Sequence, residues 1–316
     1  MIQVSVIVAT YNSPADKLRC TLNAICSQED VSLEVIVTDD GSARKDLDWL
    51  PDYFKEKGIR DYQIIEHPEN LGTLANLLYA IRSAKGEYVF STSPGDLLFD
   101  STVMRDFYRF ARAHNAGLCF GNAVFYSVDA QGPRRSRDFC EPADPDAYAP
   151  GADLADIKLQ FFFGNWVIGA SYFRRRELAI ELFSQIADVA RYMEDTPSTA
   201  FALAAGHSLY YYDRNMLWYE DGTGVSTGAS DKWKVLLNRD LSGGLTKLKQ
   251  RYPRDPYVDI AYRNATQPSR WKRILGKLLC HPVLMMRYAL QKKRSPKAVV
   301  FTDADLQRLA QQLQNR

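Results

Sequence analysis

Residues 4–9 (VSVIVA) form a short, β-branched and nearly continuous apolar run. A run of that kind suits a strand covered on both faces, as in a parallel sheet. It ends in the turn cluster Thr10-Tyr11-Asn12-Ser13-Pro14, after which Leu18, Leu22, Ile25 and Cys26 recur at helical spacing. The alternation then repeats three times. Residues 33–38 (LEVIVT) break at Asp39-Asp40-Gly41-Ser42 before a helix marked by Leu47, Leu50 and Phe54. Residues 62–66 (YQIIE) give way to Asn70-Leu71-Gly72 and a helix through Leu74, Leu77, Leu78 and Ile81. Residues 88–92 (YVFST) lead into Ser93-Pro94-Gly95-Asp96 and a helix over 102–114. Successive strand-helix units predict parallel strands joined by right-handed crossovers. Ligands of such sheets bind beyond the carboxyl ends of the strands, so the four turns are expected around one crevice.

Past residue 115 the pattern loosens. Residues 116–126 read as a strand, 127–156 as a long surface loop or insertion, and 177–192 as a helix. Glu194-Asp195-Thr196-Pro197 has the composition of a helix start, with Asp195 as N-cap and proline in the first turn. Residues 209–212 and 216–218 read as a closing strand pair, and the aromatic run from Phe161 to Trp166 reads first as core. The expected organisation is an α/β domain over residues 1–230, with a mixed, mainly parallel sheet flanked by helices, and a helical, basic extension over 231–316.

The formal charge of +2 hides an asymmetry. Residues 260–302 carry ten Lys or Arg and no Asp or Glu, leaving −8 for the remainder (2 − 10). Within that stretch Trp271, Ile274, Leu275, Leu278 and Leu279 fall on one helical face, and Arg270, Arg273 and Lys277 on the other. Ser269 is placed to cap this helix and Pro282 to stop it; a second segment, 283–290, runs into Lys292-Lys293-Arg294. Over residues 269–297 the pattern suits an amphipathic surface lying on an anionic membrane. The competing reading is a helix packed on the preceding domain with its charges in water. No recognition motif accompanies the charge, so nucleic acid is not an expected partner.

Cys20, Cys26, Cys119, Cys140 and Cys280 are odd in number and form no CxxC pair, which argues against zinc and redox roles and fits a reducing compartment. His67, His114, His207 and His281 show no metal-ligand spacing. There is no leader pattern and no apolar window of spanning length. The expectation is a cytoplasmic chain, peripheral on the inner face of the membrane. GxGxxG and GxxxxGK[ST] are absent, against dinucleotide and P-loop readings.

In order, the apolar strand ending in Tyr11-Asn12, the Asp39-Asp40-Gly41-Ser42 turn and the Asn70-Leu71-Gly72 helix opening resemble family 2 glycosyltransferases of the GT-A fold. The resemblance runs through about residue 225. It implies inverting transfer of a hexose or N-acetylhexosamine from a UDP-sugar to a glycan acceptor. That acceptor would be lipid-diphosphate-linked, as in O-antigen or capsule assembly. It also implies that Thr10, Tyr11, Asn12, Asn70 and Gly72 line the nucleotide pocket and that Asp39 binds the base. Tyr11 makes independent physical sense, since an aromatic ring stacks on a uracil face. Glu194-Asp195 matches the family's acidic pair, with Asp195 as catalytic base; Trp166 falls in the acceptor region, and residues 218–226 match a loop that closes over the diphosphate. A sugar hydroxyl needs such a base as the glycosidic bond breaks. The departing diphosphate needs a cation or a basic side chain.

For that cation the resemblance implies Mn²⁺ or Mg²⁺ at Asp96, with Ser93 and Gly95 standing where the family carries its other carboxylates. This departure leaves open a second class, a noncatalytic nucleotide-sugar or glycan-binding module. A nucleotidyltransferase would need a glycine-rich, basic loop after the first strand, and residues 10–17 supply only Lys17.

Overall fold

The computed structural model describes residues 1–43, 46–222, 231–291 and 295–314. The first half alternates as the sequence predicts: β1 (Val4–Thr10), α1 (Ala15–Cys26), β2 (Leu33–Asp39), α2 (Leu50–Glu56), β3 (Tyr62–Glu66), α3 (Thr73–Ser83) and β4 (Tyr88–Thr92). A two-residue strand, β5 (Leu97–Leu98), then precedes α4 (Val103–Ala113), β6 (Leu118–Asp129) and β7 (Gly132–Arg135). The chain continues through α5 (Leu154–Phe162), β8 (Tyr172–Arg175), α6 (Arg176–Ile186), α7 (Asp195–Ala204) and β9 (Leu209–Glu220). It closes with α8 (Asp231–Arg251), α9 (Pro256–Thr266), α10 (Arg270–Cys280), α11 (Pro282–Leu290) and α12 (Asp303–Gln314).

The strands form a single sheet of order β3-β2-β1-β4-β8-β6-β9-β5, with β7 appended to β6. The four leading strands are parallel, β8 is antiparallel to both neighbours, and β9 runs parallel to β6. Successive residues of a strand point to opposite faces, and this accounts for the nearly continuous apolar run of β1, whose one polar interior residue, Ser5, donates to the buried Glu34. Val4, Val6 and Val8 join one core with α1, α2 and α4, while Ile7 joins the other with α3, α6 and α7. Leu241, Leu245 and Leu248 of α8 and Val258 of α9 belong to that second core. On the opposite face Leu309 of α12 is fully buried in the first.

Several expectations change. Residues 209–212 and 216–218 belong to one strand, β9, in place of a strand pair. Its polar middle is absorbed because Arg214 pairs with Asp100 and Asp106, and the Tyr211 hydroxyl and the Asn122 amide both donate to Asp213. β8 was not foreseen, since its four residues enter α6 without an intervening turn signal. The region 127–156 is more than a surface loop: β7 hairpins onto β6, Tyr148 is fully buried, and the Cys140 amide donates to Lys297 of the returning C-terminal segment. The helix expected over 177–192 ends at Ile186.

Ser269 caps α10 by accepting from the Lys272 amide, and Pro282 begins α11 as well as ending α10. Arg273 and Lys277 donate to Asn264 at the end of α9, so part of the basic face points inward. Trp271, Leu275 and Leu279 face out, with Trp271 80% exposed. This reverses the reading in which α10 packs by its apolar face and leaves its charges in water. Among the described residues no helix is long and apolar enough to cross a membrane. Lys292-Lys293-Arg294 and residues 223–226 of the expected closing loop lie outside the described residues.

Candidate active site

The turns after β1, β2 and β3 are tied together by carboxylates. Asp39 accepts from the Ser42 amide at 2.8 Å and the Ser42 hydroxyl at 2.5 Å, and the Ser42 oxygen accepts from the Asn12 amide at 2.7 Å. Asn12 in turn accepts from the Ala43 amide. Asp40 accepts from the amides of Leu71 and Gly72 at 2.7 and 3.0 Å, fastening the third turn to the second. Burial nevertheless raises the Asp40 carboxyl above its ordinary range. Gly72 sits at φ +90°, and a Cβ there would lie 2.3 Å from the Arg191 side chain. Thr10 is buried, whereas Tyr11 is 51% exposed at the rim, its ring open for stacking. An ionised carboxylate offers about four acceptor positions, so Asp39 keeps capacity for a base N–H.

Arg191 links these turns to the carboxylate pair. Its guanidinium donates to the backbone and side-chain oxygens of Asn70, and its carbonyl accepts from the Leu74 amide. Beneath it the fully buried Asp240 of α8 accepts from the amides of Arg191, Tyr192 and Met193 at 2.8, 2.6 and 3.3 Å. That clamp fixes the segment entering Glu194-Asp195. Asp195 is the first residue of α7; Glu194 takes the cap position without a capping hydrogen bond, which corrects the N-cap expectation. The Asp195 carboxylate accepts from the Thr196 amide at 2.6 Å.

Glu194 and Asp195 both have carboxyls raised above their ordinary range, by burial first and, for Glu194, by the Asp195 charge next. Gly169 passes so close that a Cβ there would lie 2.8 Å from a Glu194 oxygen and 3.3 Å from an Asp195 oxygen. The buried Arg174 guanidinium stacks on Tyr172 and opposes both negative charges; burial lowers its own pKa. A carboxylate with a raised pKa is matched to taking a proton near neutrality.

The fourth turn is built differently from a carboxylate metal site. Gly95 adopts φ +106°, a conformation costly for side chains, and a Cβ there would stand 2.3 Å from a Glu220 carboxylate oxygen. Asp96 is buried and accepts from the Glu220 amide at 3.1 Å, and burial pushes its carboxyl up to about 7. The Thr21 hydroxyl braces the turn by accepting from the Gly95 amide and donating to the Asp96 carbonyl. Among the described residues no three His, Cys, Asp or Glu side chains are grouped to hold a metal ion. The donor set therefore does not fit the divalent cation expected at Asp96.

Trp166 is partly buried against the second core, so its core role is present in the structure. Sequence reasoning passed over Asp40, Arg191, Gly169, Arg174 and Asp240. Asp240 alone carried a signal, an acid beside Leu241 on the inward stripe of a helix. The others act through contacts between segments remote in sequence.

Residues 5–182 match the family described as Glycosyl transferase family 2. No protein of curated function matches the sequence. Among solved structures, S. aureus TarS 1–349 is similar with a TM-score of 0.60 at 16% identity, covering 91% of this chain and 78% of that one. The same TarS fragment in complex with UDP-GlcNAc matches equally well. The mannosyltransferase PcManGT from Pyrobaculum calidifontis, in complex with GDP-Man and Mn²⁺, is similar with a TM-score of 0.57 at 17% identity, covering 92% of this chain and 76% of that one.

Proposed function

The chain belongs to glycosyltransferase family 2, and from that premise we propose that it moves a hexose or N-acetylhexosamine from a UDP-sugar to a glycan acceptor with inversion. The acceptor oxygen bonds to the donor's anomeric carbon, the bond from that carbon to the diphosphate breaks, and its electron pair leaves on the phosphate oxygen. The acceptor proton passes to Asp195. The observation that carries this reading is the Glu194-Asp195 pair, clamped by Asp240 and joined through Arg191 to the Asn70 turn. One carboxylate suffices, because single displacement needs no covalent intermediate. Thr10, Tyr11, Asn12, Asp39, Asn70 and Gly72 are assigned to the nucleotide, with the Tyr11 ring on the uracil. Glu194 and Trp166 are assigned to the sugar and acceptor side. The TarS neighbour solved with UDP-GlcNAc supports a uridine donor. The neighbour with Mn²⁺ supports divalent metal use in structures of this kind, but of the Mn²⁺ or Mg²⁺ site that the resemblance implies, only Asp96 is retained here.

The acceptor is assigned as lipid-diphosphate-linked, for surface polysaccharide assembly at the cytoplasmic face of a membrane. Support comes from α10 and α11, whose Trp271, Leu275, Leu279, Val283, Met286 and Leu290 are exposed in a stretch rich in Lys and Arg, of which Arg263, Arg287 and Lys297 pair with acids outside it. Such a surface gains by entering an anionic bilayer interface. Transfer assays over a panel of UDP-sugars and lipid-diphosphate acceptors test the assignment. Turnover lost in Asp195→Asn supports it, and no turnover with any pair refutes it. The incomplete metal turn favours one competing reading, a donor-binding module; UDP binding without any transfer decides for that. Sedimentation with vesicles containing anionic lipid tests the location. Binding weakened by Leu279→Glu is expected, and indifference to vesicles overturns it.

A further inference from the structure

The Lys17 ammonium lies 2.7 and 2.6 Å from the two Glu220 carboxylate oxygens, and the same carboxylate fills the space in front of Gly95. We propose that Lys17 supplies the counter-charge for the donor's diphosphate in place of a divalent cation, so that this chain binds its donor without metal. The inference rests on the nucleotide-sugar reading above.

Three observations meet at this point. First, a metal-binding carboxylate is disfavoured at this position: Gly95 has a positive φ, which strains any side chain, and the Glu220 carboxylate stands where its Cβ would be and would have to move aside. Second, the two carboxylates that are present are already engaged. Asp96 is buried on the Glu220 amide, and both Glu220 oxygens hold one ammonium. A divalent ion would have to expel that ammonium and desolvate a hydrogen-bonded acid, keeping only two protein ligands.

Third, the ammonium is placed where phosphate charge is expected. Lys17 lies in the first turn of α1, directly after the Tyr11-Asn12 turn, and one helical turn before Thr21, which braces Gly95 and Asp96. About a third of its side chain is open to solvent, while Glu220 is largely covered. The pair thus presents a part-exposed ammonium held on a largely covered carboxylate. A flexible four-carbon stem lets the ammonium reach phosphate oxygens as a point charge. As the glycosidic bond breaks, the negative charge growing on the leaving phosphate meets a charge already in place, and no proton has to move.

The test is UDP and uridine binding by calorimetry on the full chain stripped with chelator, with and without added Mn²⁺, beside the electron paramagnetic resonance signal of Mn²⁺. The expected result is UDP affinity unchanged by Mn²⁺ and an ion signal that stays that of free Mn²⁺. Lys17→Met should weaken UDP binding by about tenfold or more, the scale of a lost charge-assisted contact, and leave uridine binding unchanged. Unchanged uridine binding also certifies that the variant is folded, and Lys17→Arg should restore most of the affinity. UDP binding strengthened tenfold or more by Mn²⁺, or Lys17→Met binding UDP like the parent chain, overturns the proposal. A parent chain that binds neither uridine nor UDP under either condition overturns the nucleotide reading itself.

Discussion

The two walls of the crevice use the same residue type to opposite ends. On the nucleotide side, Asp39 and Asp40 are buried but supplied with donors, four hydrogen bonds in all from Ser42, Leu71 and Gly72. Their carboxylates serve as rivets between loops. On the transfer side, Glu194 and Asp195 stand next to each other, and Asp195 accepts from the Thr196 amide and the backbone of Gly169, which is pressed against both. Both carboxyls are raised by burial, with the Arg174 charge opposing the rise. Burial raises Asp40 and Asp195 although both accept from backbone amides; what sets the transfer pair apart is the second acid at its side.

The contrast is tested hardest by Asp195→Asn. If this residue is the base, turnover should fall by about a thousandfold, the usual scale of general base catalysis, with UDP affinity unchanged by calorimetry. Equal turnover would remove the base from the transfer wall. Asp40→Ala should act in the reverse sense. Leaving two backbone amides without their acceptor should cost about 3 kcal/mol of stability, read by denaturant unfolding, and UDP binding should weaken because the third turn is released. Should the variant prove as stable as the parent, Asp40 is no rivet.

Glu194→Gln separates the two kinds of carboxylate by pH. The raised pair loses base activity as pH falls through its elevated pKa, so the acid limb of the rate profile should lie above the ordinary carboxylate range. Removing the neighbouring negative charge should move that limb to lower pH; an unmoved limb would mean the two groups are not coupled. The smallest effect is expected at Tyr11→Ala. Losing a stacking ring at a half-exposed site should weaken UDP binding by about 1 kcal/mol, with Tyr11→Phe near the parent value. A larger loss in the Phe variant would give the hydroxyl the role assigned to the ring.

The same division runs through what was legible in the chain. β1 to β4, their helices and the convergence of four turns follow from apolar period and turn composition, since each signal lies within about a dozen residues. β8, and the joining of residues 209–212 and 216–218 into β9, do not. Asp213 to Asn215 look like loop residues until partners from distant segments satisfy them. Asp195 was identifiable by resemblance, but its environment was not. The carboxyls are raised by burial and, for Glu194, by the charge beside it, while Arg174 and the Gly169 backbone, brought in from other elements, oppose the rise.

The fourth turn divides in the same way. Sequence alone determined that Ser93-Pro94-Gly95-Asp96 lacks the usual acids, because that is a statement of composition. What occupies their place was decided by folding: Glu220, some 125 residues onward, enters the space in front of Gly95 and brings Lys17 with it. Local pattern fixes which backbone groups need partners and which faces need covering. Which charge meets which is set only when remote segments are packed, because Coulomb and desolvation energies depend on distance and burial and leave no trace in spacing along the chain.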